Sequence, residues 1–253
     1  MSEEFPTHRL VEFANFTEAE LRRFGGIAQS TLTFAPRQLI NREGEPPTQV
    51  YLLIDGWVAS SIELDEGERQ ITKIHLPGDI LGATSLGLTA SVDTLTALTP
   101  VTVSSVPATT FGNLLAHWPR LAAVLFLCAQ RERLALMERL TALGRMSAVE
   151  SFAGMVLDLH GRLAAMGRGE ENALDLRVTQ EQIADYLGIS AVHVHRALRQ
   201  LETSGVISRS GRRIVINDMA QLERLSRRTR RGNAAAGKAW VAAAEAPPSI
   251  RGG

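Results

Sequence analysis

The sequence predicts an α+β chain: an N-terminal β-roll of jelly-roll type, one long helix, and a C-terminal winged helix-turn-helix. Three observations predict it. From about Thr31 to Pro107, short apolar runs are broken by turn residues and no helical period persists, the pattern of an antiparallel barrel or sandwich. Leu121 to Leu143 consists of helix formers with no Gly or Pro, enough for about 35 Å of helix at roughly 1.5 Å per residue. Thr179 to Glu202 carries capping signals on either side of Gly188, the spacing of two short helices joined by a tight turn.

Composition sets the frame for these elements. A chain of 253 residues exceeds the usual size of one core and fits two domains with a connector. A hydrophobic fraction of 45% with 21% charged residues is that of a soluble globular protein, and no apolar run reaches the ~18–20 residues of a membrane span. The start, MSEEFPTHRL, has no apolar core of signal-peptide type, so a cytoplasmic protein without a membrane partner is expected. The one cysteine, Cys128, can form no internal disulfide and cannot alone hold an iron–sulfur cluster or structural zinc, so no cofactor is expected.

The net charge of +0 conceals an asymmetry. Residues 1–143 carry 11 Lys+Arg and 16 Asp+Glu, a balance of −5, whereas 144–253 carry 16 and 11, a balance of +5. Between Tyr186 and Arg231 there are 10 basic and 3 acidic residues, or +7. Such a local field attracts polyphosphate, although a solvated basic surface has the same signature.

Along the chain, Phe13 to Phe24 reads as a short helix with a capping box from Thr17 to Glu20. Strands are expected at Gln49–Ile54, Trp57–Leu64, Gln70–His75 and Val101–Val106, with turns at Asp55-Gly56, Glu66-Gly67 and Pro77-Gly78-Asp79. The long helix has two apolar stripes, Phe126, Ala129, Leu136, Leu140, Leu143 and Leu127, Leu134, Met137. One packs on the β domain and the other seeks a partner helix, the alternative being a helix buried wholly within its monomer. Gly144 interrupts, and Ser147 with Glu150 caps a new helix to about Leu163. The expected division is therefore 10–118 for the β domain, 119–144 for the connector helix and 145–225 for the C-terminal domain. Residues 164–176 read as a loop, and 226–253 as a flexible basic, Ala-rich tail.

Thr179 and Gln182 start the first helix of the pair, which opens at Gln180, buries Ile183, Ala184 and Leu187, and ends at Gly188. Ser190 caps the second, with Val194, Ala197, Leu198 and Leu201 inward. Val192, His193, His195, Arg196, Arg199 and Gln200 face outward, a surface suited to the major groove of double-stranded DNA. Arg196 suits guanine O6 and N7, His195 a guanine N7 or a phosphate, and His193 and Arg199 phosphates. The hairpin Val206–Ile216 carries Arg209, Arg212 and Arg213 as a wing toward the DNA backbone. A helix pair serving only as a protein-binding surface is the alternative. His193 and His195 are two residues apart, on different helix faces, so a shared metal is not expected.

The order β-roll, long helix, winged helix-turn-helix resembles the Crp/Fnr superfamily of bacterial regulators over about residues 10–225. The resemblance is carried by TQEQIADYLGISAVHVHRALRQLETSGVI and by Gly44, Tyr51 to Gly56, Gly67, Pro77-Gly78-Asp79 and Gly82. It implies a cyclic-nucleotide-binding-like β-roll, a homodimer through the long helix at Leu127, Leu134 and Met137, and two recognition helices ~34 Å apart on a pseudo-palindromic site. RNA polymerase is a further candidate partner. The resemblance also places an effector pocket at Gly82, Ala83, Thr84, Ser91, Asp93 and Thr94. Cyclic-AMP-binding members carry a Glu just after the Gly82 position and an Arg-Ser pair before the last strands. Here Ala83 and Thr89-Ala90-Ser91-Val92-Asp93-Thr94 stand instead, with no arginine, so cyclic AMP is not the expected effector. The oxygen-sensing members hold a cluster on several cysteines, and this chain has only Cys128, read as a core residue before a redox switch. Many relatives have Glu at the Val192 position and Ser or Gly at His195, while Arg196 matches, so the operator is expected to keep a guanine and otherwise differ, with Val192 against a thymine methyl.

The sequence thus points to a sequence-specific dimeric regulator, its effector unidentified or lost. The alternative is a small-ligand-binding signalling protein whose helical domain contacts protein. Nothing in the sequence supports an enzyme: no nucleophile elbow, phosphate loop or metal-ligand spacing is present.

Overall fold

The computed structural model describes residues 5–64, 68–227 and 234–245. An N-terminal arm holds α1 (His8–Val11) and α2 (Glu18–Gly25). The Thr17 capping box forms, with the Glu20 side chain accepting from the Thr17 amide at 2.7 Å. The expected helix from Phe13 is shorter, because Phe13 and Ala14 turn inward as core residues between the two helices.

Eight strands follow: β1 (Ser30–Phe34), β2 (Leu39–Asn41), β3 (Gln49–Asp55), β4 (Val58–Glu63), β5 (Arg69–His75), β6 (Ile80–Leu81), β7 (Thr94–Ala97) and β8 (Val101–Pro107). They form two antiparallel four-stranded sheets, ordered β1-β8-β3-β6 and β2-β7-β4-β5. Leu53, Val58, Leu81, Leu95, Val101 and Val103 fill the space between them. Alternate residues pointing to one side is what makes such a sandwich possible. The turns at Asp55-Gly56 and Pro77-Gly78-Asp79 are present, and Glu66-Gly67 lies outside the described residues.

α3 (Ala108–His117) meets α4 (Pro119–Arg145) at a bend of 114°. Proline at the first position of α4 has no amide to lose there and fixes the helical φ. At 27 residues, α4 spans about 40 Å. Leu121 and Val124 anchor its first turns on the roll. Beyond them Phe126, Leu134, Leu136, Met137, Leu140 and Leu143 all stand in water. Among the described residues no single helix is long and apolar enough to cross a membrane.

Met146 breaks the helix with extended backbone, and the Ser147–Glu150 capping box starts α5 (Ala148–Ala165). The segment expected to be a loop contains instead a strand, β9 (Ala173–Asp175), which pairs with the wing. At three residues it shows no periodicity in sequence, and the sheet alone defines it. The helix pair is α6 (Gln180–Leu187) and α7 (Ala191–Thr203). The wing is β10 (Ile207–Ser210) and β11 (Arg213–Ile216), in sheet order β10-β11-β9, followed by α8 (Met219–Ser226).

Residues 228–233 and 246–253 of the expected flexible tail lie outside the described residues, but Ala234–Glu245 forms a helix, α9. Alanine has the highest helix propensity, and one apolar face docked on the molecule supplies the rest. Composition alone misreads such a segment as unstructured.

The interior does not divide at the connector. Phe152, Val156, Leu159, Ile183, Val194, Leu198 and Ile214 of the C-terminal domain share one continuous apolar cluster with Trp57, Ala59, Ile71, Ile74 and Leu76 of β4 and β5.

Candidate nucleic-acid interface

Local sequence dictates the helix pair. The Thr179 side chain accepts from the Gln182 amide, and the Gln182 side chain returns the bond to the Thr179 amide at 2.8 Å. Gly188 ends α6 at φ +65°, a left-handed conformation that a side chain disfavours. An added Cβ there would also stand 2.9 Å from Leu143 Cδ2 of the long helix. Ser190 caps α7, its Oγ accepting from the His193 amide and lying 2.8 Å from His193 Nδ1.

On α7, Val194, Ala197, Leu198 and Leu201 are buried while Val192, His193, His195, Arg196, Arg199 and Gln200 are exposed. The outward face predicted for base and phosphate contact therefore exists as one continuous strip. Among the described residues Arg196 and Arg199 are in no ion pair, so their guanidinium donors are free for a ligand.

The wing arginines differ from one another. Arg209 Nε bonds Glu202 Oε1 at 3.3 Å. Arg213 is held by both oxygens of Glu170, which raises its pKa and lowers that of Glu170. Arg212 stands at the turn, three-quarters exposed, with Asp175 no nearer than 3.9 Å. Arg212 is the wing cation least committed within the protein.

Two contacts that sequence reading missed fix α6 against the roll. Arg69 Nε donates to Asp185 Oδ2 at 2.7 Å. Arg139 of α4 donates to the Ile71 carbonyl at 3.1 Å and the Tyr186 carbonyl at 2.6 Å, with its guanidinium 3.9 Å from the Tyr186 ring centroid. The planar guanidinium can stack and donate at once, which lysine cannot.

A third is a buried carboxylate. Asp79, 1% exposed, is bonded by Arg9 of the arm, lies 3.4 Å from Lys73 Nζ of β5, and accepts from Arg162 of α5 at 3.0 Å. Glu132 of α4 joins through Lys73 at 2.6 Å and Arg9 at 3.2 Å. Burial alone would raise the Asp79 pKa, but Lys73, Arg9 and Arg162 hold it well below the usual carboxylate range. His75 Nδ1 comes within 3.4 Å of Asp79 Oδ2 without hydrogen-bond geometry, and its Nε2 lies 2.7 Å from Ser60 Oγ. Burial and the Lys73 charge lower the His75 pKa. Asp79 reads in sequence only as the end of a turn, since the cations that meet it come from three separate elements.

The residues of the expected effector pocket are only partly gathered. Gly82 opens a 3-10 turn at Ala83–Ser85, where Ala83 and Thr84 are exposed. Ser91, Asp93 and Thr94 are buried, and the Val92 amide donates to Ser85 Oγ at 3.1 Å, tying the two segments together. Asp93 Oδ1 is buried without a partner, and Thr94 Oγ1 accepts from the Glu43 amide at 3.1 Å. Of the three residues expected to line a dimer contact, Leu134 and Met137 are exposed, whereas Leu127 packs with the N-terminal arm and Gly237 of α9. Cys128 is partly buried, and burial pushes its thiol up to about 11, leaving little thiolate.

Residues 31–117 match the model of the cyclic nucleotide-binding domain, and residues 152–225 that of the Crp-like helix-turn-helix domain. The nitrogen fixation regulation protein FixK of Bradyrhizobium diazoefficiens is 31% identical over 209 residues, 82% of this chain and 86% of that protein. The chain belongs to the Crp/Fnr family. An anaerobic regulatory protein of Aggregatibacter actinomycetemcomitans, 28% identical over 207 residues, spans 82% of this Crp/Fnr chain and 80% of its own length. Among solved structures, FixK2 from Bradyrhizobium japonicum superimposes with a TM-score of 0.71 at 29% identity, over 79% of this chain and 98% of its own. These Crp/Fnr relatives are regulators rather than enzymes.

Proposed function

We propose that the protein is a cytoplasmic, sequence-specific transcription regulator that binds double-stranded DNA as a homodimer. One observation carries this reading: α7 presents Val192, His195 and Arg196 beside the phosphate-directed His193 and Arg199, on a helix fixed by its partner α6. Arg196 reads guanine, Val192 packs on a thymine methyl, and Thr179, Gln180, Ser190 and Arg212 contact the backbone. Exposed Leu134, Leu136, Met137 and Leu140 on α4 support pairing of two long helices. That pairing sets the two recognition helices on one face of the duplex.

The test is affinity for an operator at two salt concentrations. With six to ten phosphate contacts, binding weakens by about 10³–10⁵-fold between roughly 50 and 200 mM salt. Binding that is absent at moderate salt, or indifferent to salt, would leave the helix pair as a protein-contact surface.

Ala83 and the carboxylate of Asp93 give a cyclic nucleotide phosphate no cation at the expected pocket. Titration calorimetry with cyclic AMP is therefore expected to show no saturable heat. Saturable binding at micromolar concentration would refute this.

A further inference from the structure

Helix α9 lies outside the DNA-reading elements and is firmly seated on the roll end of the molecule. Val241 is buried in the cluster of Phe13, Leu121 and Val124. At Gly237 an added Cβ would stand 2.5 Å from Phe13 Cδ1, so a larger residue would force the buried Phe13 ring or the helix to shift. Lys238 Nζ donates to Asn15 Oδ1 at 3.2 Å. Docked in this way, α9 sets Trp240 beside Phe126 of α4, ring centroids 6.0 Å apart. Both rings remain half in water, 47% exposed for Trp240 and 51% for Phe126. Two adjacent exposed aromatic rings form a patch that an isolated subunit has no reason to keep.

Phe126 heads the exposed series Ala129, Leu136, Leu140 and Leu143, spaced by three, four or seven residues on one side of α4. Trp240 continues that face from a second helix. Because α9 lies beside the series and leaves it open, it widens the surface available to a partner.

We propose that α9 is part of the subunit interface, with Trp240 and Phe126 packing together against a second copy of this chain. The inference rests on the reading of α4 as the dimer helix. The second copy is the fitting occupant because the aromatic pair is continuous with the apolar face that α4 offers to its own counterpart.

Sedimentation equilibrium of the full chain tests it with three variants. Leu140→Asp places a charge in the α4 face and should give monomers; a dimer that survives it overturns the α4 reading itself. Trp240→Ala keeps the helix propensity of α9 and its Val241 anchor, and should raise the dimer dissociation constant about tenfold or more, as loss of a central interface tryptophan does. Val241→Asp, which undocks α9 without touching Trp240, should raise it by a similar factor. If Leu140→Asp dissociates the dimer while both α9 variants pair as tightly as the parent, or more tightly, α9 is no part of the interface. The inference then falls and the α4 reading stands.

Discussion

Asp79→Ala is expected to destabilise the protein by about 3–5 kcal/mol, the usual cost of removing one partner from a buried ion cluster. The substitution removes little volume but takes away the buried carboxylate on which Arg9, Lys73 and Arg162 converge, leaving only the less buried Glu132 and Asp158 to offset them. Arg162 belongs to α5 and Arg9 to the arm, so the loss falls on the joints between elements. Denaturant titration measures it. A change below about 1 kcal/mol would mean that the cations relax outward to water.

The same cluster sets a pH dependence. Asp79 has a lowered pKa in the fold, so its stabilisation is complete above the unfolded value of about 3.9 and is lost as pH falls through the folded one. His75 also has a lowered pKa, with Lys73, Asp79, Ser60 and Glu132 around it. Below about 6.5 the unfolded chain takes up a proton that the folded chain refuses, so stability begins to fall there. His8, lowered chiefly by burial, acts in the same window. Acidification should therefore weaken the fold in two stages, with His75→Asn shrinking the first and Asp79→Ala shrinking the second, to which Glu132 also contributes. A profile flat from pH 7 to 5 would contradict the histidine assignment.

Arg196→Ala is expected to cost about 1–3 kcal/mol at each half-site and to relax discrimination at one base pair, as loss of a bidentate guanine contact does. The fold should be unaffected, because the side chain is exposed and in no ion pair among the described residues. Arg212→Ala is the comparison: it should weaken all sequences alike and reduce the salt slope by about one unit. Selection of bound sites from a random library separates the two. An unchanged motif for Arg196→Ala would remove its assignment as a base reader.

The DNA-reading end was largely legible because its rules are local. Thr179, Gln182, Gly188 and Ser190 are capping and turn residues that act within four positions of themselves, and the burial of Val194, Ala197, Leu198 and Leu201 follows from helical period. The β-roll was visible where strands are long: β3, β4, β5 and β8 fall within one residue or so of their expected bounds. Strands of two to four residues, β2, β6, β7 and β9, carry too few alternations to show, and α8 went unread. Contacts made across the fold left no local trace. Nothing in the sequence singles out Arg139 or Arg162; Arg213, expected as a wing cation, is held by Glu170, and Leu127, expected at the dimer contact, lies against α9.

The apolar cluster that joins β4 and β5 to the C-terminal domain couples the stability of the two halves of the chain. Separating the two halves would strip Trp57, Ile71 and Ile74 as much as Phe152 and Ile183, although the roll keeps a further interior of its own around Leu53, Leu95 and Val103. The free energy that holds the recognition helix in place is thus stored partly in sheet residues far from DNA. Whatever reshapes that sheet alters how Arg196 is presented, with no dedicated relay between them.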